Sequence, residues 1–271
     1  MQARGRRGAV ATLVGVLGAG AIGAGAAEAK IVSYPRKARA TPLARAMTRH
    51  HKLVRRAVFS AVPPAATPAA VSTTPLAGFP TEGKSYAMLS TGNARFADAP
   101  NDRPDTGTTS GGPSIRGARD VTIMRVDLRV PRGHNCLSFD FRFLSEEYPE
   151  FVGDLFNDAF VAELGGSNWS ATSKQDPTVS SPLNFATDAH GSPIRINTTG
   201  LTGMSAAEAK GTTYDGATRI LRASSPVKPG RRRLYLSIFD QGDRIYDSAV
   251  FLDHLRTGHA KKCRTGVRLS R

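Results

Sequence analysis

The stretch Leu137-Ser-Phe-Asp-Phe-Arg-Phe143 places an apolar side chain at every second position. Extended backbone turns successive side chains to opposite faces, so Leu137, Phe139, Phe141 and Phe143 share one face while Ser138, Asp140 and Arg142 share the other. The segment therefore reads as a strand with a core face. Before it, Pro131-Arg-Gly133 turns the chain. Upstream of that turn, Thr122, Met124, Val126, Leu128 and Val130 alternate with Arg125, Asp127 and Arg129, the pattern of a half-buried strand. Downstream, Ala159 to Leu164 is a third strand. Leu234, Leu236 and Ile238 mark a fourth after the turn at Lys228-Pro-Gly230, and Ala249 to Leu252 a last one. Short alternating strands without long intervening helices predict an all-β fold, an antiparallel β-sandwich or jelly-roll-like domain. The abundance of Gly (27) and Pro (17) among 271 residues suits such a turn-rich fold.

The two ends differ from this body. Arg4, Arg6 and Arg7 precede an uncharged, small-residue-rich run from Ala9 to Ala26, and Ala27-Glu-Ala29 follows as a cleavage site. This is the pattern of a signal peptide over residues 1–29, with a mature start at Lys30. No later segment is apolar enough to cross a membrane. The expected location is therefore secreted, extracellular or cell-envelope associated. Residues 30–73 read as a basic segment followed by a Pro-rich linker at Pro63 to Pro68. The basic part is expected to be disordered or weakly helical, with Ala44, Met47, His51, Val54 and Val58 near one face of any helix. Residues 98–118 read as a surface loop, and residues 256–271 as a basic C-terminal tail.

The formal charge of +15 suggests nucleic acid, but its distribution does not. Residues 30–62 carry nine Lys or Arg and no acid, and residues 254–271 carry six and no acid. Residues 63–253 hold 19 basic against 21 acidic side chains. The body is nearly neutral, so no specific nucleic-acid partner is expected, although the basic termini suit an anionic envelope polymer. Two cysteines, Cys136 and Cys263, in an exported chain imply a disulfide.

Two acidic segments each join predicted strands. Ser145 to Asp158 contains Glu146, Glu147, Glu150, Asp154 and Asp158 with the amide Asn157, and Asp240 to Asp247 contains Asp240, Asp243 and Asp247. Crowded carboxylates repel one another unless solvated, paired or bound to a cation. Oxygen donors of this kind on loops suit Ca2+, whereas the lack of His and Cys in both segments argues against zinc or copper. The ligand spacing of an EF-hand is absent. Solvated carboxylates, some paired with Arg142 or Arg244, are the alternative.

The stretches FDFRFLSEEYPEFVGDLFNDAFVAEL, TTYDGATRIL and YLSIFDQGDRIYDSAVFLD resemble the choice-of-anchor L family of bacterial exported proteins, over Thr74 to Leu255. The resemblance implies a β-sandwich domain at 74–255, on or outside the cell. It strengthens the calcium expectation, with Glu147, Asn157, Asp158, Asp240, Asp243 and Asp247 as ligands and Glu146 and Asp154 as second choices. The sequence departs from the family pattern in having a basic tail with Cys263 where an anchor would follow. The expectation is either release or retention at the envelope by charge.

Motifs of enzymes are missing. There is no G-x-S-x-G elbow, no H-E-x-x-H and no phosphate-binding Gly loop. A glycosidase pair such as Glu147 with Asp243 or Asp247 has nothing to fix its separation. The expected function is thus a calcium-stabilised, non-catalytic binding or adhesion module for an extracellular glycan or protein. A structural envelope or spore-surface protein is the alternative, and a secreted carbohydrate-active enzyme is a third reading.

Overall fold

The computed structural model describes residues 31–33, 40–103, 111–172 and 178–270. The proposed signal peptide lies outside these residues. In chain order the strands are β1 (Ile31–Ser33), β2 (Val54–Ala61), β3 (Ala69–Ser72), β4 (Tyr86–Ser90), β5 (Arg119–Val130), β6 (Cys136–Ser145), β7 (Ala159–Leu164) and β8 (Ser170–Ala171). They continue with β9 (Val179–Ser180), β10 (Ile194–Arg195), β11 (Met204–Ser205), β12 (Gly216–Thr218), β13 (Leu221–Pro226), β14 (Gly230–Asp240), β15 (Ser248–Gly258) and β16 (Gly266–Leu269). Two short helices, α1 (Ala40–Ala46) and α2 (Ile196–Gly203), accompany them.

Two antiparallel sheets face each other. The larger runs β1-β3-β4-β15-β6-β12-β11, with β13 also paired to β6 and β16 to β13. The smaller runs β10-β7-β14-β5-β2. Leu137, Phe139, Phe141 and Phe143 of β6 meet Met124, Val126 and Leu128 of β5 and Leu234, Leu236 and Ile238 of β14 in one core. The alternation that reads as a strand is thus the contact surface between the layers of a β-sandwich.

The outer faces are covered unevenly. β6 is buried on both faces, and Asp140 and Arg142 on its outer side are met by Arg222 and Glu208 respectively. On the smaller sheet, Trp169 stacks on Phe239 at 4.0 Å and closes one end of the outer face with Val121, Ile123 and Val161. Trp169 is therefore a core residue.

The segments expected to be tails belong to the fold. α1 ends at Ala46, so the helical spacing of Ala44, Met47, His51, Val54 and Val58 is not realised: His51 sits in a turn before β2, and Val54 and Val58 lie on that strand. Leu43, Ala44, Met47, Leu53 and Val54 all join the main core. Val54, Val58 and Phe59 are good strand formers, and pairing with β5 satisfies their backbone where a continued helix would have left that sheet edge open. The Pro-rich connection carries the chain from the smaller sheet to β3 of the larger one, with Thr67 held by the Asn93 side chain. At the other end, β15 runs to Gly258 and β16 pairs with β13, so half of residues 256–269 are strand. The sandwich therefore reaches beyond 74–255 on both sides. Cys136 and Cys263 are disulfide-bonded across 127 residues.

Candidate functional site

The sheet topology brings the two acidic segments together. β6 and β15 are neighbours in the larger sheet, with Ser145 opposite Ser248. β7 and β14 are neighbours in the smaller sheet, with Ala159 opposite Phe239. All four strand ends carrying the acidic segments therefore lie at one end of the sandwich.

Backbone donors tie the loops to one another. Glu146 N donates to Asp247 O at 3.1 Å, and Asp247 N donates to Glu146 Oε2 at 2.8 Å. Asp158 N donates to Glu147 Oε2 at 3.1 Å, and Gln241 N to Asp158 Oδ1 at 3.2 Å. Asn157 N donates to Gln241 O, while its side chain gives Nδ2 to Gln241 Oε1 and accepts from Asn197 N through Oδ1. Thr91 Oγ1 donates to Asp247 Oδ1, and a Cβ on Gly92 would come within 1.9 Å of that carboxylate. The Phe151 ring meets Phe156 edge-on at 5.1 Å and Tyr246 at a tilt at 5.0 Å, joining the loop tips, where Leu155 and Ile245 are exposed. The Tyr148–Pro149 bond within the first loop is cis.

The expected ligands separate into two groups. Glu146, Glu147, Asn157, Asp158, Asp240 and Asp247 are all buried, at no more than 1% exposure. Asp243 is half-buried with Oδ1 accepting from Ile245 N, and Asp154 is exposed with Oδ1 accepting from Leu155 N. Asp120, Gln241 and Ser248 join the buried group although the sequence reading did not single them out. Asp120 sits at the start of β5, far from either acidic segment, so no local pattern marks it.

The electrostatics of this end are those of unneutralised charge. Burial, then the neighbouring Asp158 charge, pushes the Glu147 carboxyl well above its usual range. Burial likewise raises Asp240, helped by Asp158, Asp247 and Asp120. Burial raises Asp158 to about 7 despite hydrogen bonds from Ser248, Asp240 and the Gln241 backbone. Both Asp240 oxygens are buried without an amide, hydroxyl or guanidinium donor. They lie against the Asp158 carboxyl, which can bond them only if the pair shares a proton. Arg244 pairs with Asp120 at 2.8 Å and is the cation in an ion pair with this group among the described residues.

Such a cluster can be relieved by protons or by a hard cation. Its donors are all oxygen, and Asp240 supplies two that face the Asp158 carboxyl. Among the described residues, no three His, Cys, Asp or Glu side chains stand ready in a metal-holding arrangement. An ion would have to draw Glu147, Asp158 and Asp240 together.

The choice-of-anchor L domain model matches residues 77–255. No curated protein matches the chain. Among solved structures, one titled as TmCBM61 in complex with beta-1,4-galactotriose is similar at 6% identity and a TM-score of 0.33, covering 76% of this chain and 88% of that one. No helix among the described residues is long and apolar enough to cross a membrane.

Proposed function

The chain belongs to the choice-of-anchor L family, and on that premise we propose that it is an exported, non-catalytic surface-binding module whose acidic end is stabilised by Ca2+. The observation carrying the calcium reading is the burial of Glu147 and Asp240 on either side of the Asp158 carboxyl, with both Asp240 oxygens lacking an amide, hydroxyl or guanidinium donor. When bound, the ion supplies positive charge that the cluster lacks and fixes the two loops relative to each other. Glu147, Asp158 and Asp240 would hold it, with Asp243 at the more accessible side. The burial of these carboxyls supports a structural rather than a catalytic role, because a glycosidase pair has to face a substrate groove. The Arg4-to-Ala29 pattern and the Cys136–Cys263 disulfide both support export to an oxidising compartment. The bound partner is an extracellular glycan or protein.

The test is calorimetric melting after EDTA treatment and after adding Ca2+, with metal analysis of the purified protein. Calcium at about 100 times its dissociation constant adds roughly 2.7 kcal/mol. An unchanged melting temperature, with no metal retained, rules out the calcium reading.

A further inference from the structure

Arginines of β2, in the basic segment, and of β5 and β14, in the body, lie side by side. They gather on the open half of the smaller sheet's outer face, at the end away from Trp169. Cross-strand register places Arg56 and Arg233 on either side of Asp127, and Arg231 directly opposite Arg129. A cleft of about 620 Å³ runs here, lined by Arg55, Arg56, Asp127, Arg231, Arg232 and Arg233. A second cleft of about 580 Å³ shares Arg55 with the first and adds Arg129 of this face, His50, Lys52 and His134. Like charges directly opposite in a sheet oppose its formation, so the Arg129–Arg231 pair is not there for the fold. Among the described residues Arg55, Arg129, Arg231 and Arg233 carry no ion pair with an acid.

We propose that this face binds a linear anionic polysaccharide whose repeating units bear carboxylates, with the guanidiniums of Arg55, Arg129, Arg231 and Arg233 as its contacts. Asp127 displays the chemistry within the fold. Arg56 Nε meets its Oδ2 at 2.7 Å and Arg125 Nε meets its Oδ1 at 3.1 Å, so two guanidiniums straddle one planar carboxylate. Burial alone would raise that carboxyl, but the Arg56 bond and the charges of Arg125, Arg56 and Arg233 hold it below its usual range. Arginine is the residue suited to such planar, forked recognition. Two clefts that meet at Arg55 make a track, which fits a chain better than a single sugar. A membrane is disfavoured because Val58 is the exposed large apolar side chain on these strands. Single-stranded nucleic acid is disfavoured because stacking platforms are lacking, the half-buried Tyr235 being the aromatic residue beside Arg125.

The inference rests on the reading of the domain as a binding module but not on calcium. Arg231 and Asp240 are nine residues apart on β14, about 30 Å of extended chain. The experiment is titration calorimetry of the full mature chain with oligogalacturonate, in EDTA and in Ca2+. Neutral galactan, polyphosphate, anionic phosphatidylglycerol vesicles and duplex DNA serve as the comparison ligands. Oligogalacturonate should bind in both conditions and weaken between about 50 and 200 mM salt as screening grows. The double variant Arg129→Ser/Arg231→Ser should bind roughly tenfold more weakly or worse. Its melting temperature should be unchanged or higher, since a like-charge pair has gone. Failure to bind oligogalacturonate, undiminished binding by the variant, or tighter binding of any comparison ligand overturns the proposal. A lost calcium response with intact oligogalacturonate binding removes the metal reading alone.

Discussion

At the scale of single residues, the acidic end is defined by what each carboxyl lacks. Asp240 has two buried oxygens and no donor, so Asp240→Asn replaces a repelling oxygen with an N–H while keeping shape. In metal-free protein at pH 8 this variant should melt higher than wild type, by about 2–4 °C for each kcal/mol of repulsion relieved. It should also lose any calcium response, and a calcium titration followed by scanning calorimetry reads both effects. Gly92 makes the opposite case. A methyl there would overlap the Asp247 carboxylate, so Gly92→Ala should destabilise by about 1–3 kcal/mol, measured by urea unfolding. Of these residues, the acids of the two loops were legible because they are clustered in sequence. Gly92 and Asp120 were not, since their role comes from strands that meet them only in the folded chain.

At the scale of elements, the question is how much of the chain the domain needs. Leu43 on α1 is fully buried in the main core. Leu43→Ala should therefore cost about 2–5 kcal/mol in denaturant unfolding, the range for a core leucine, where a disordered leader would give none. The disulfide joins the start of β6 to the segment before β16. Cys263→Ser should lose up to about 5 kcal/mol by the loop-entropy model for so long a loop. β5 and β6 were readable because a period of two over large apolar residues has one interpretation. β2 was not, because Ala44, Met47, Val54 and Val58 fit a helical spacing equally well, and only the open edge of β5 decides between the two.

At the scale of the whole molecule, charge is sorted by place. One group of acids collects at one end of the sandwich and one group of arginines on half of a sheet face, although the body's net charge is close to zero. This sorting gives the protein a pH dependence of known sign. Glu147, Asp158 and Asp240 have raised folded-state values, so the stability they contribute is present below the usual carboxylate range near pH 4 and is lost as pH rises through about 7 for Asp158. Metal-free protein should therefore melt lower at pH 8 than at pH 5. Added calcium should raise the melting temperature more at pH 8, where the ligands have already released their protons. Scanning calorimetry at the two pH values, with and without the ion, separates proton from metal stabilisation.

The amino-acid sequence determined on its own that this is an all-β chain with a disulfide, two acidic strand connections and the marks of its family. Each of these is written locally, as a period of two, a cysteine pair, or a run of like residues. Tertiary structure decided that the acidic connections meet, that Asp120 joins them, that the basic segment becomes helix and edge strand, and that the arginines of β2, β5 and β14 form one face. Those features depend on which strands are neighbours, and strand order is set by the burial of whole faces across the sandwich rather than by any one segment.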